Sequence, residues 1–301
     1  GLDGHRRTPS MEGFQNLAPF WQILNAQGMT VGLWAADCCV EPVEIDGYVV
    51  SARYEMLETP DPVRTSRRTL QVCRKDQRIL DLIRGEAPPR LYPRTLEQQG
   101  VSFTQMQKDP ELALRKIEEY HFQDALENFA QELEFFYQAM CSAQEKYPVN
   151  VLYFYTPTTD LIGHCAMYCD NSDVVVKAYQ LLDQYVGKWL DALQPENVIF
   201  LSDHGMSNFK DLVPNGYIAF EAKNGALLFT AHGLKGTFIA AGPDIRHTEV
   251  KDMRTLDIYP TLLEMMRVKI PEGRGGFVQD IFDRPIVNAE KLFHTDKAQY
   301  W

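Results

Sequence analysis

The chain has 301 residues, 45% of them hydrophobic, which is enough for a substantial core in one large α/β domain or two small ones. Asp and Glu outnumber Lys and Arg by 41 to 30, a formal net charge of -11, and so acidic a body excludes broad nucleic-acid binding while leaving room for a locally cationic pocket such as a metal centre. No apolar run reaches membrane-spanning length, so the chain reads as soluble, without a membrane span, and it carries no internal repeat or low-complexity tract.

The predicted elements begin with a helix. Phe14, Leu17, Phe20, Trp21 and Leu24 recur at helical spacing, and Gly28 follows as a stop signal. Residues 30–36 read as a short buried strand, and residues 48–51 as another inside a loop-rich stretch. Residues 61–108 carry only a weak pattern, punctuated by Pro62, Pro88, Pro89 and Pro93. Residues 111–143 are strongly helical, in two pieces. The run "VLYFY" predicts a strand over residues 151–155. Val175, Tyr179, Leu182, Val186, Trp189 and Leu193 form one stripe in steps of four and three, which predicts an amphipathic helix over residues 173–193. Strands follow over residues 197–201 and 236–241, the second closed by a Gly242-Pro243 turn. Residues 255–266 predict a helix that Pro260 kinks or restarts. Strands alternating with helices indicate an α/β fold with a mostly parallel central sheet and helices on both faces. Ligands in that architecture bind beyond the carboxyl ends of the strands.

Six cysteines are present: Cys38, Cys39, Cys73, Cys141, Cys165 and Cys169. None forms a C-x-x-C pair, and their density does not suggest a disulfide scaffold, so they read as buried or free thiols. The N-terminus shows no signal-peptide pattern. It opens abruptly on "GLDG", as though a strand preceded it.

Chemistry concentrates in three loops that flank strands. After "VLYFY" come Asp160 and His164, whose i,i+4 spacing aims both at one spot on a helical turn. After "NVIFL" come Asp203 and His204. Before "GTFIAA" comes His232, next to Gly233. The first two loops follow a strand directly. The third precedes one, so either its strand runs antiparallel or its loop folds back. Singly, each residue has a plain explanation: Asp160 or Asp203 as a helix cap, His164 as a satisfied surface histidine, His232 as a loop hydrogen-bonder. Jointly these explanations weaken, because three separate loops would have to mimic ligand placement. Three His and two Asp form a borderline N/O ligand set that suits zinc best, with manganese or iron as alternatives. Five ligands exceed the need of one tetrahedral ion, so a two-metal site follows, an arrangement that clamps the attacking and leaving oxygens of a phosphoryl displacement. His5, His121, His247 and His294 lack such company and read as structural or exposed.

The stretches "TDLIGH", "SDHGM", "HGLKGTFIAAGPDI" and "TLDIYPTLLEMM", in this order, resemble the type I phosphodiesterase / nucleotide pyrophosphatase family of the alkaline phosphatase superfamily. "TPSMEGFQNLAPFWQILNAQGMTVGLWAAD" with "IDGYVVSARYE" is similar to the segment after that family's nucleophile. The resemblance implies a single alkaline phosphatase-like catalytic domain over residues 1–301, with a less regular insertion around residues 55–110. It implies two zinc ions, one held by Asp160, His164 and His232, the other by Asp203, His204 and an Asp at the end of the first strand, for which Asp3 is the matching candidate. It further implies a metal-dependent hydrolase of phosphodiester or pyrophosphate bonds that works through a covalent phospho-enzyme, on a small phosphate ester or nucleotide.

The family's Thr or Ser nucleophile does not emerge. "GLDG" runs directly into "HRRTPS", so the family's first strand and nucleophile region are expected to be absent from the chain. Thr8 and Ser10 are the nearby hydroxyls, but Thr8-Pro9 does not match the family's Thr-x-Pro arrangement, and Thr8 reads as a loop or cap residue. Two further readings stay open: a catalytically silent metal-binding or interaction protein, and a phosphomonoesterase or phosphomutase-like member of the superfamily. Sulfatases are set aside, since no Cys-x-Pro-x-Arg or Ser-x-Pro-x-Arg stretch is present. The compartment stays open between cytoplasmic and periplasmic or secreted.

Overall fold

Successive side chains of a β-strand point to opposite faces. In the run Val31-Gly-Leu-Trp, Val31 and Leu33 enter one apolar cluster and Trp34 enters another. A strand buried on both sides belongs in the middle of a sheet covered on both faces. The computed structural model describes residues 18–35, 45–57, 63–72, 87–93, 122–168, 172–206, 220–221, 227–228, 232–233, 235–272 and 275–293. In chain order these hold α1 (Phe20–Ala26), β1 (Val31–Ala35), β2 (Gly47–Leu57), β3 (Val63–Val72), β4 (Ala87–Pro93), α2 (Phe122–Lys146), β5 (Val151–Tyr155), α3 (Thr158–Tyr168) and α4 (Ser172–Leu193). Then come β6 (Val198–Leu201), β7 (Gly205–Met206), β8 (Phe220–Glu221), β9 (Leu227–Leu228), β10 (His232–Gly233), β11 (Phe238–Ala241) and α5 (Thr255–Met265).

The main sheet has the order β4-β3-β2-β1-β5. Its core is parallel: Val31 stands level with Gly47 on β2 and with Val151 on β5. β3 and β4 extend it antiparallel. β4 is the edge strand, where Pro88 and Pro89 cost no internal ladder bond. β2 is therefore longer than the short strand expected over 48–51. β3 and β4 lie in the stretch where periodicity is weak, within the expected insertion. β8 and β9 form a separate short antiparallel pair.

Helices cover both faces. On one face α2, α3 and α4 pack over Trp34, Tyr48 and Val50, and on the other Leu24 of α1 and Leu263 of α5 pack over Val31, Leu33 and Val49. The first face is tied by a run of aromatic contacts: Tyr48 to Trp34 at 5.9 Å between centroids, Trp34 to Phe136 at 6.3 Å, Phe136 to Phe154 at 5.3 Å and Phe154 to Trp189 at 5.0 Å. Such pairs contribute roughly 0.5–1.5 kcal/mol each beyond their buried area.

Two helices, α4 and α5, differ from expectation. α2 is one continuous helix over its described length, and residues 111–121, the rest of the expected helical stretch, lie outside the described residues. In α4 the buried face is Val174, Ala178, Tyr185 and Trp189, while Tyr179 is 52% exposed. The stripe is centred about one position earlier than expected, because α4 meets both α2 and α3 and buries the face between them. α5 runs through Pro260 without a break.

The second face also contains buried charge. Glu264 is fully buried and accepts from Arg284 Nη1 at 2.8 Å, from the backbone N–H groups of Val287 and Asn288, and from Asn288 Nδ2 at 2.7 Å. Asp257, also fully buried, accepts from Arg254 Nη2 at 3.0 Å and from the Phe277 N–H at 2.8 Å. Both carboxylates lie in the stretch "TLDIYPTLLEMM" and fasten the segment after α5 to the helix.

Candidate metal centre

β5 ends at Tyr155, and Thr156-Pro157 turns the chain into α3. Asp160 stands in the first turn of α3. Ile162 and Ala166 face the core at 2% and 0% exposure, which leaves Asp160, Gly163 and His164 on another side of the helix. That side meets β7. A Cβ on Gly163 would come within 2.5 Å of Met206 Cε, so the Met206 side chain lies directly over the glycine between Asp160 and His164.

β6 delivers Ser202, Asp203 and His204, and its partner comes from the other direction. β11 runs antiparallel to β6, with Phe238 opposite Leu201. Ser202 N–H donates to the Thr237 carbonyl at 2.9 Å, and Thr237 N–H donates to Ser202 Oγ at 2.9 Å. Beyond this the two chains pair again through β7 and β10, with Gly233 opposite Gly205 and His232 opposite Met206. Four steps separate Leu201 from Gly205, but five separate Gly233 from Phe238. One extra residue is therefore accommodated opposite Asp203-His204, a bulge of the kind that re-aims side chains beside functional sites. The bulge is tight. A Cβ on Gly236 would come 2.2 Å from the Ser202 carbonyl oxygen, so only glycine lets the loop lie this close.

Three segments far apart in sequence thus come together: α3 against β7, and β7 against β10. Of the expected ligands, Asp160, Asp203 and His204 have described side chains, while His164 and His232 are described along the backbone alone. Asp3, Thr8 and Ser10 lie outside the described residues. Among the described residues, no group of three or more His, Cys, Asp or Glu side chains stands close enough to hold a metal ion. Of the three described side chains, Asp203 and His204 stand together as a pair.

That pair suits a cation. His204 Nδ1 lies 3.2 Å from the Gly205 carbonyl, so the tautomer that satisfies this carbonyl carries its proton on Nδ1 and leaves a lone pair on Nε2. Nε2 in turn lies 3.5 Å from Asp203 Oδ2. Two ligands of one tetrahedral zinc, each about 2.0–2.1 Å from the ion, stand about 3.3 Å apart. Asp203 is 75% exposed along its side chain, and its Oδ1 accepts the His204 N–H at 3.1 Å, which holds the carboxylate beside the ring.

Behind the site lies a residue that periodicity alone passes over. Glu132 sits on the inner stripe of α2, between Phe129, Leu133 and Phe136, and is fully buried. Its Oε1 accepts from Thr156 Oγ1 at 3.3 Å and its Oε2 from Thr158 Oγ1 at 2.9 Å. The signal was available: an acidic residue on an otherwise apolar helix face needs donors from elsewhere in the fold.

A model of the type I phosphodiesterase / nucleotide pyrophosphatase family matches residues 5–275. The chain is also similar to 2,3-bisphosphoglycerate-independent phosphoglycerate mutases. That of Lachnoclostridium phytofermentans is 34% identical over 134 residues, and that of Ehrlichia ruminantium (strain Gardel) is 28% identical over 134 residues. That of Clostridioides difficile (strain 630) is 28% identical over 137 residues. Each match covers 44% of this chain but only 23–24% of the relative, so it spans about a quarter of those proteins. No solved structure gives a significant match.

Proposed function

Because the chain belongs to the type I phosphodiesterase / nucleotide pyrophosphatase family of the alkaline phosphatase superfamily, we propose that it is a hydrolase of phosphodiester or pyrophosphate bonds in small phosphate esters or nucleotides, dependent on two zinc ions. Asp160, His164 and His232 would hold one ion, and Asp203 and His204 the other, with Asp3 as the sixth ligand. Bound there, the ions would supply fixed positive charge for the phosphoryl oxygens. The family's covalent phospho-enzyme belongs to the same proposal, with its Thr or Ser unassigned.

The observation that carries this reading is the antiparallel register of His232 with Met206 and Gly233 with Gly205. It joins the third expected loop to the second, on the strand that packs against the helix of the first. The protein's own part is to hold ligands from separate segments at a common rim. His204 Nδ1 is turned to a backbone carbonyl, and Asp203 is anchored by an N–H.

The experiment is zinc content and affinity of the purified chain, with turnover of bis-p-nitrophenyl phosphate. His232→Ala and Asp203→Asn are expected to lower zinc affinity by more than about 100-fold, beyond the 10–100-fold typical of an outer-shell partner. Both should keep the wild-type melting profile of the metal-free protein. Full zinc binding and turnover in either variant would remove that residue from the centre. Zinc bound without turnover would favour a silent metal-binding protein.

The mutase relatives favour a second reading, a phosphomutase or phosphomonoesterase built on the same ligands. Phosphoglycerate turnover or p-nitrophenyl phosphate hydrolysis exceeding diester hydrolysis would select it.

A further inference from the structure

We propose that Glu132 is a positioning residue for the Asp160–His164 helix, acting through Thr156 and Thr158. Its functional consequence rests on the metal-centre reading above. Its structural consequence does not.

The inner face of α2 needs apolar side chains, and Phe129, Leu133, Phe136 and Met140 supply them. A carboxylate at the same face is costly to bury unless it is hydrogen-bonded, and an apolar residue of similar size would pack as well. What the carboxylate adds is direction. A carboxylate oxygen accepts, and both threonine hydroxyls donate to it. Thr156 Oγ1, 3.3 Å from Glu132 Oε1, then turns a lone pair to the Thr158 N–H, which it receives at 3.3 Å. Thr158 is the first residue of α3, and the first N–H groups of a helix have no partner within it. The chain of donors therefore runs from the Thr158 N–H to Thr156 Oγ1 to Glu132. The Thr158 hydroxyl donates to the other carboxylate oxygen at 2.9 Å.

Glu132 thus grips both residues flanking Pro157, at the point where β5 becomes α3. Asp160 lies two residues beyond Thr158, and His164 one turn further. Metal sites hold ligand distances within about 0.2 Å, so a small change in the seat of this first turn would move both ligands together.

The test uses Glu132→Gln, Thr158→Val and the double variant of the full chain. It measures zinc affinity by chelator competition and amide hydrogen exchange across residues 158–164. Each single variant is expected to bind zinc about 10-fold more weakly, at the lower end for an outer-shell partner. The double variant should fall short of the product of the two. Exchange should quicken in residues 158–164 of each variant and stay at wild-type rates in α4. Wild-type zinc affinity in Glu132→Gln would overturn the proposal and leave the metal centre standing. A wild-type chain that binds no zinc would defeat the metal reading, and hydrogen exchange then decides. Unchanged exchange in Glu132→Gln overturns the positioning role, and local quickening upholds it. Quickening spread equally over α2, α3 and α4 marks Glu132 as general packing and also overturns it.

Discussion

Tyr48 carries a phenol into the apolar layer under α2, where it is 2% exposed. Burial pushes its pKa up to about 12, against the small opposing effect of the hydrogen bond donated by Trp34 Nε1 at 3.4 Å. Below pH 10 the phenol is protonated whether the chain is folded or not, and it adds no slope to stability. Between pH 10 and 12 the unfolded phenol ionises while the folded one stays protonated, so the folded state binds more protons and stability falls as pH rises. The full loss is about 2–3 kcal/mol at 1.36 kcal/mol per unit. Tyr48→Phe removes this penalty but leaves the buried Trp34 N–H without that acceptor, at about 1 kcal/mol. The variant is therefore expected to be slightly less stable than wild type at pH 9 and more stable at pH 11.5 by denaturant unfolding. Parallel stability curves would show that Tyr48 ionises freely. A second residue-scale expectation concerns Arg284, whose side chain is only 8% exposed beside the fully buried Glu264. Arg284→Met strands that carboxylate and should cost about 3–5 kcal/mol, with zinc affinity of the folded fraction unchanged. At this scale the sequence was half legible. Asp257 and Glu264 fall in a stretch that resembles the family, but only the contacts reveal that both fasten the chain after α5 instead of serving chemistry.

Elements whose signal is local were the readable ones. β5 begins and ends where "VLYFY" does, and α4 is displaced by only about one position of its stripe, because period and length are written in neighbouring residues. β3 and β4 were not readable. Their pairing is antiparallel and at the edge of the sheet, and edge strands tolerate the prolines that otherwise argue against a strand. The direction of β11 was left open between two choices, and its antiparallel course rests on pairing with β6, a contact about forty residues distant that no local period encodes. The site loops stood out for a different reason: Asp and His beside glycine at strand ends need partners that the strand itself cannot provide. Two glycines of these loops, Gly236 and Gly163, separate close approach from mere helix propensity. Gly236→Ala would drive a Cβ into the Ser202 backbone carbonyl, which cannot yield without moving Asp203. A cost of about 1–3 kcal/mol is expected, the usual range for overpacking. Gly163→Ala meets only the far end of the flexible Met206 side chain, and the helix gains about 0.5–1 kcal/mol from losing its glycine. That variant should lie within about 1 kcal/mol of wild type. Urea unfolding of both would distinguish them, and equal effects would mean that the bulge opposite Asp203-His204 is looser than its geometry indicates.

At the scale of the whole molecule, the two apolar layers and the candidate centre divide the labour. The layers on either side of β1 draw on α1, α2, α3, α4 and α5. The proposed centre would draw on residues 160–164, 203–204 and 232, whose segments come together only when β7 lies against α3 and pairs with β10. An unfolded chain offers no such grouping, so an ion bound there adds its binding free energy to folding. The gain follows the ratio of free ion to dissociation constant, about 4 kcal/mol at a thousandfold excess. Zinc should therefore raise the thermal midpoint of the wild-type chain, and EDTA should return it to the metal-free value. In His232→Ala the shift should fall by the share of the ion held with Asp160 and His164, since that ion would lose the one ligand that ties β10 to the rest. The metal-free midpoints of the two proteins should agree, because the backbone pairing of β10 with β7 is made by Gly233 as well as by residue 232. A zinc shift of wild-type size in His232→Ala, or none in the wild type, would each contradict a centre assembled from all three segments, and the first would leave a site built on α3 and the Asp203–His204 turn alone.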